Sequence, residues 1–458
     1  MKTRNFIMCS MVLLAAWVSA QTPEEAVHFM ENEDGVGVKA MAMGNASVGA
    51  ADDYTALYWN PASLTLLKSS EMSCSFYRLH FKNETAFAGN TVLGDQNFTK
   101  LKSLGLAYKF PTSRGSLVLA VGYNRFKDYD NFMYFSGFNT LSNGLDFELE
   151  DGAGTASFYR FDKDVLQTEQ IIQDGNLSAW SVGGGIAMSP RFSLGVTFNF
   201  YSGSSDYLFE YFQDDVYDVY NRFPGDFSGY ELYQSIFSKF RGWGIKLGGL
   251  FEVSRHLRVG LAMDLPTSLR VSESYAANDV LIFDDDYVSE MDLGAGEWEY
   301  VVKYPVKISG GVTLDIRRLM LAGAFQYRDW SDVRFDVPSG YSLNEDFSDL
   351  LGENSFFPAL FRPVFSYGVG GEFRVPGSSL KLRGGYRVVP SPFFGADGTE
   401  DRRYFSGGLG YNLDRYTTID LSYVHGLWER NTADSYTPGG THESIQTNRF
   451  LAGISYRF

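Results

Sequence analysis

Phe450-Leu451-Ala452-Gly453-Ile454-Ser455-Tyr456-Arg457-Phe458 ends the chain, and its alternation decides the fold. Successive side chains of an extended strand point to opposite faces, so Phe450, Ala452, Ile454, Tyr456 and Phe458 share one side. A final strand of this kind is an aggregation template unless the sheet closes on itself. At the other end Lys2 and Arg4 precede an apolar run from Phe6 to Trp17, and Val18-Ser19-Ala20 offers a small-residue cleavage site. That layout predicts a secretory signal peptide over 1–20. An exported chain that closes its own sheet implies a bacterial outer-membrane barrel.

Composition agrees. The 458 residues include 48 Gly, 38 Phe and 29 Tyr but only 21% charged side chains, a balance suited to aromatic girdles and twisted strands. Beyond the signal no apolar run reaches the roughly eighteen residues of a membrane helix. The formal charge of −16 repels phosphate backbones, which argues against nucleic acid. Cys9 lies in the signal, leaving Cys74 without a disulfide partner and reading as a plain apolar strand residue.

From Ser70 onward the period is two. Leu117, Leu119, Val121 and Tyr123 share a face, as do Leu194, Val196, Phe198 and Phe200, and Phe365, Tyr367, Val369 and Phe373. Alternation alone does not separate a soluble sandwich from a barrel, but the connections do. Short links at Pro111–Arg114, 189–191, 254–256, 315–317, 376–379 and 414–416 alternate with long polar stretches near 82–100, 126–176, 203–241, 265–298, 331–363, 389–402 and 428–446. Tight turns at one end and long loops at the other mark an outer-membrane barrel. The expectation is all-β: a 14-stranded antiparallel transmembrane barrel over 70–458, including one strand over 300–314. Residues 21–69, rich in Ala, Met and Gly, do not alternate and are expected inside the lumen as a plug, or hatch.

Met43 to Thr65 (MGNASVGAADDYTALYWNPASLT) carries Met43-Gly44, the acidic pair Asp52-Asp53 and the turn Asn60-Pro61-Ala62-Ser63. Together with YPVKISGG (304–311), YRDWSDVRF (327–335) and LRGGYRVVPSP (382–392), it resembles the outer-membrane long-chain fatty acid transporter family (FadL type; OMPP1/FadL/TodX). The resemblance implies passive uptake of hydrophobic molecules without energy source or cofactor. Loops capture the ligand, a lumenal pocket binds it, the plug (Gly44, Asp52, Asp53, Asn60, Pro61, Ala62) rearranges, and the ligand leaves sideways near the third strand. Gly122 in that strand reads either as a bend that opens the wall or as simple relief of crowding.

Asn60-Pro61 is a rigid turn that seats the plug, or an ordinary turn. Asp52 and Asp53 either hold lumenal cations or cap a short helix near Tyr54. Parity turns Lys246, Arg258, Lys303, Lys307, Arg374, Lys381, Arg383 and Arg387 toward the lumen. There Lys246, Arg258, Lys307, Arg374 and Arg383, with Lys39 of the plug, are candidates for a ligand carboxylate; internal ion pairs are the plainer reading. Phe132, Tyr134, Phe135 and Phe138, with Tyr207, Phe209, Tyr211 and Phe212, form either an outer capture groove or an upper aromatic girdle.

No catalytic constellation is visible: Gly-x-Ser-x-Gly and His-Glu-x-x-His are absent, and the five histidines are scattered. Gly35–Ala40 imitates a dinucleotide fingerprint without its βαβ unit, and Asp284-Asp285-Asp286 lacks the spacing of a calcium loop. Neither enzyme activity, cofactor nor metal is expected. The partners expected are fatty acids or similar hydrophobic molecules and the surrounding lipid or lipopolysaccharide, with the chain a monomer in the outer membrane. The alternative is a barrel of the same build serving as a component or anchor of a secretion or surface-attachment system.

Overall fold

The computed structural model describes residues 21–151, 153–340 and 347–458. The expected signal peptide lies outside the described residues. In chain order the wall contains β1 (Glu71–Phe87), β2 (Asn90–Phe110), β3 (Leu117–Asp128), β4 (Asn131–Asn139), β5 (Val165–Ser189), β6 (Phe192–Asp214), β7 (Gly225–Glu252), β8 (Leu257–Asp264) and β9 (Thr267–Phe283). It continues with β10 (Val288–Tyr304), β11 (Lys307–Ile316), β12 (Leu319–Asp329), β13 (Pro363–Arg374), β14 (Leu380–Val389), β15 (Arg402–Asn412), β16 (Thr417–Thr432) and β17 (Thr441–Arg457). These make fourteen antiparallel staves, because β3 continues into β4, β8 into β9 and β10 into β11. The last strand pairs with the first from Glu71↔Arg457 to Ala86↔His442, so the sheet closes.

All six short links stand where the sequence puts them. The apolar faces point outward: Leu194, Phe198 and Phe200 are exposed, whereas Ser193 and Thr197 on the opposite face are buried. A sandwich would bury the apolar side; a barrel in lipid presents it.

Several expected loops are strand. Residues 82–100 continue β1 and β2 around a turn at Ala88 and Gly89, both at positive φ. Most of 203–241 belongs to β6 and β7, and most of 265–298 to β9 and β10. The reason is a change of surroundings along one strand. The inward face of β6 carries Ser193, Thr197 and Asn199 low down but Phe209 and Tyr211, both buried, higher up. Above the lipid level water lies outside, so the upper sheet keeps its apolar side chains within. Phe132, Phe135 and Phe138 therefore lie on β4, and Tyr207 and Phe209 on β6, rather than in loops.

The expected strand over 300–314 is broken at Pro305-Val306, facing a second break at Leu265-Pro266. Proline cannot donate to a ladder. The break reverses the face, leaving Lys303 half exposed and Lys307 buried, which corrects the inward placement of Lys303. Above it β10 no longer neighbours β12. Residues 330–340 and 347–362 pack there, with Phe357 fully buried.

Residues 21–69 form short helices: α1 (Pro23–His28), α2 (Val38–Ala42), α3 (Ala56–Trp59) and a 3-10 turn over Pro61–Leu66. Thr22 caps α1 by accepting from Glu25 N–H at 3.2 Å. None of these helices would persist alone. They are held by contacts with the face of the wall opposite the exposed apolar side chains.

Candidate functional site

Two glycine-lined contacts seat the amino-terminal segment. Gly44, at φ +61°, lies so close to β13 and β14 that a Cβ there would meet Val369 O at 2.7 Å and Tyr386 O at 2.6 Å. A Cβ on Gly368 would in turn meet Gly44 O at 2.0 Å. Gly44 N donates to Ser406 Oγ at 3.1 Å. On another stretch of the same inward face, Pro61 and Ala62 press on Gly195 of β6 and Gly248 of β7. Asn60 ties this together: its Nδ2 donates to Val48 O and to Gly249 O, each at 3.0 Å, and its Oδ1 accepts from Ala62 N at 3.1 Å.

The acidic pair divides its two readings. Asp52 pairs with Lys39 at 2.6 Å; burial raises its carboxyl, but Lys39 outweighs that and holds it well below the usual range. Half-buried Arg258 helps in the same direction. Asp53 ties the turn just before α3, its Oδ1 accepting from Thr55 N at 2.9 Å, and burial and Asp52 push its carboxyl up.

The inward cations are paired. Lys307 meets Glu33 at 2.7 Å and Asp264 at 3.4 Å. Lys246 meets Asp264 at 3.3 Å and donates to Tyr58 O. Arg383 joins Glu372 and Asp420, and Arg374 joins Asp315 at 3.0 Å near the short turns. The expected set thus resolves into one group around Glu33 and Asp264 (Lys246, Lys307), one around Asp52 (Lys39, Arg258) and Arg383 between Glu372 and Asp420. Arg374 stands apart.

Sequence reading missed the acids that organise the first group. Glu31 pairs with Arg402 at 3.2 Å, and Asp34 with Arg449 at 2.6 Å and Lys102 at 3.5 Å. Burial pushes Glu33 up, but Lys307 and Arg328 more than offset it and hold the carboxyl at about 2. Three carboxylates within the four residues Glu31–Asp34 were the available signal.

Between this acidic run and the wall lies a cavity of about 40 Å³, bordered by Met30, Glu33, Lys307, Arg328, Trp330 and Arg387. Arg328, only 6% exposed, stacks over Trp330 at 5.1 Å and Tyr304 at 6.0 Å. Its Nε has no hydrogen-bond partner among the described residues. Beside it Phe29 and Met30 pack with Phe240, Tyr300 and Phe361 in one buried apolar cluster. A cationic head beside an apolar shell is the chemistry that receives an amphipathic anion.

The aromatic residues divide. Phe135 (1% exposed) packs on Phe87 at 4.2 Å, and Phe209 (5%) belongs to a second buried cluster with Tyr211, Phe227 and Tyr230. Phe138 meets Tyr217 edge-to-face at 5.0 Å; Phe132 and Tyr207 are half-buried. These aromatics build the core of the upper sheet, not an open cluster.

Gly122 is paired on both sides, with Gly105 and Ser181. The ladder between β2 and β3 instead stops at Ser103↔Asn124, and β3 shifts register against β5 between Arg125 and Lys127. Above that point Lys100 of β2 reaches Asp130, and Asp174 of β5 at 2.9 Å.

No family model matches the chain, and no curated protein matches it. Solved structures do. The Pseudomonas putida toluene transporter TodX superimposes with a TM-score of 0.59 at 13% identity, over 93% of this chain and 99% of its own. A Pseudomonas aeruginosa FadL homologue gives 0.58 at 14%, over 94% and 100%. The Ralstonia pickettii toluene transporter TbuX gives 0.53 at 14%, over 93% and 99%. The closed fourteen-stave wall and the coverage of more than nine-tenths of each chain agree: the chain has the FadL/TodX fold.

Proposed function

We propose that the chain is an outer-membrane channel for passive uptake of hydrophobic compounds, and that its ligand is an amphipathic acid such as a long-chain fatty acid. The neighbours of the same fold include a FadL homologue and toluene transporters, so fold alone does not choose between an acid and a neutral hydrocarbon. The observation that favours the acid is the buried guanidinium of Arg328, with its free Nε, set against the apolar cluster around Phe29. Burying a cation without use for its donors is costly; a carboxylate would satisfy them. Each buried methylene of the acyl chain contributes about 0.8 kcal/mol.

In this reading residues 21–69 are the plug. The ties Glu33–Lys307 and Asn60–Gly249 hold it closed, and ligand entering beside Phe29 displaces α1. Exit runs sideways between β2 and β3 above Ser103, where Lys100, Asp130 and Asp174 replace the missing backbone ladder. Nothing in the chemistry requires an enzyme, and no observation favours a secretion role.

The test is uptake of labelled oleate and of labelled toluene by a deletion strain carrying wild-type or Arg328→Ala protein. Loss of oleate uptake with toluene uptake retained supports the acid. Equal oleate uptake by both proteins would overturn it.

A further inference from the structure

We infer that a cationic patch on the outward face of β7, β9 and β10 binds the phosphate of lipid A, the phosphorylated glycolipid of the outer leaflet. This rests on the outer-membrane reading above but not on transport.

Five cations stand together there: Lys239 and Arg241 of β7, Arg270 of β9, Lys303 of β10, and Arg334 of the short strand Arg334–Asp336 that pairs with β10. Their chain neighbours Phe240, Leu269, Val302 and Phe335 are buried, so alternation turns the cations away from the lumen. Arg241 lies directly opposite Arg270 in the ladder, and Lys303 directly opposite Arg334. Arg270 pairs with Val301, which makes Lys303 its diagonal neighbour and joins the two pairs in one patch. Like charges set opposite each other destabilise a sheet. No other two outward cations meet in this way among the described strands. Arg78 faces Thr99 and Phe450, Lys82 faces Asp95 and Gln446, and Arg403 faces Val388 and Leu427.

Carboxylates relieve only part of the repulsion. Glu299 takes Arg270 at 2.9 Å, and Asp336 takes Lys303. Lys239, Arg241 and Arg334 are left without a carboxylate partner among the described residues, in a chain whose formal charge is −16. A phosphate seated between the opposed pairs turns repulsion into attraction, and a guanidinium meets it with two parallel donors. Exposed Ser202 and Ser268 flank Arg241 and Lys303 in the ladder and offer hydroxyls to the same headgroup.

The depth of the patch identifies the lipid. One outward step below Arg241 stands Trp243, 63% exposed, paired with Phe200, 55% exposed. Below these, Phe198 and Leu247 continue the exposed apolar face. Aromatic girdles mark the membrane interface, so the cations stand at headgroup level. They lie at the end away from the tight turns, where the leaflet is the outer one. Its glycolipid carries phosphate on a sugar at this height, above acyl chains that lie along the apolar face.

The experiment mixes the full protein in detergent with bisphosphorylated lipid A and EDTA, then counts retained lipid by native mass spectrometry. Wild type retains one lipid A, prefers it roughly tenfold over the dephosphorylated lipid, and does not release it to inorganic phosphate. Arg241→Gln combined with Arg334→Gln removes one charge from each opposed pair, frees no carboxylate, and abolishes the preference, as loss of charge-assisted hydrogen bonds would. Arg78→Gln combined with Lys82→Gln removes two outward charges elsewhere and leaves the preference intact. Heat-modifiable migration shows that each variant is folded. A wild-type preference in the first double variant, an equal loss in the second, or displacement by inorganic phosphate overturns the site. Oleate uptake by the first double variant stays at the wild-type level. Loss of uptake in the wild-type control with lipid A retention intact counts against the transport reading alone. Solubility of the wild type without detergent counts against the outer-membrane reading instead.

Discussion

Glu33 and Lys307 meet at 2.7 Å across the boundary between the amino-terminal segment and β11. Both side chains are about nine-tenths buried, and Lys307 also reaches Asp264. The pair joins the part of the chain proposed to move to a strand that does not, so its strength bears on how firmly the segment is held.

Glu33→Gln is expected to cost about 1.5–3 kcal/mol at neutral pH, the range for hydrogen bonds to charged groups. The carboxyl is held at about 2, below its ordinary value of 4.5. A depressed carboxylate contributes stability that is fully present above 4.5 and is lost as pH falls through about 2. The gap between wild type and variant, from urea unfolding in lipid vesicles, should be constant above pH 5 and shrink toward pH 2. A gap that does not change with pH would show that the tie is not electrostatic.

Gly44→Val places a Cβ within 2.8 Å of backbone atoms of β13 and β14 at a φ of +61°. The expected result is release of the segment from a wall that still forms. Proteolysis should nick residues 21–69 rapidly while the remainder keeps its heat-modifiable migration. A variant as resistant as wild type would mean the close approach is not what seats the segment.

Arg328→Ala removes the buried guanidinium from beside Trp330. Fatty-acid affinity, followed by displacement of a fluorescent acid, should fall roughly tenfold or more. Arg328→Lys should recover part of it, since a lysine keeps the charge but loses the planar fork.

Across the β2–β3 seam, Lys100→Gln should speed release of preloaded ligand into surrounding lipid. A maleimide bridge between Lys100→Cys and Asp174→Cys should block release until cleaved. Gly122→Ala, at a position laddered on both sides, should leave release unchanged. The reverse pattern would return the opening to Gly122.

The closing strand, the six tight turns and the outward apolar faces were legible because lipid imposes one rule on every stave at that depth. The rule fails above it. Phe209 and Tyr211 face inward in water-bathed strand, and a polar stretch between them and the turn read as loop. Lys303 misled for a local reason: Pro305 interrupts the alternation, so counting in twos through it lands on the wrong face. Glu31, Glu33 and Asp34 were overlooked because their partners, Arg402, Lys307 and Arg449, come from strands far along the chain. Which carboxylate meets which cation is a property of closure, not of spacing.

The switch of character along β6 also fixes a waterline. Sinking the cylinder by one more pair of residues would carry Asp206, on the upper stretch of that strand, toward hydrocarbon, while raising it would bare Phe198 and Phe200 to water. A misplaced charge on the lipid side costs up to a few kcal/mol depending on depth. Repeated on neighbouring staves, that penalty acts as ballast, so the hull floats at a single draught however residues 21–69 are arranged.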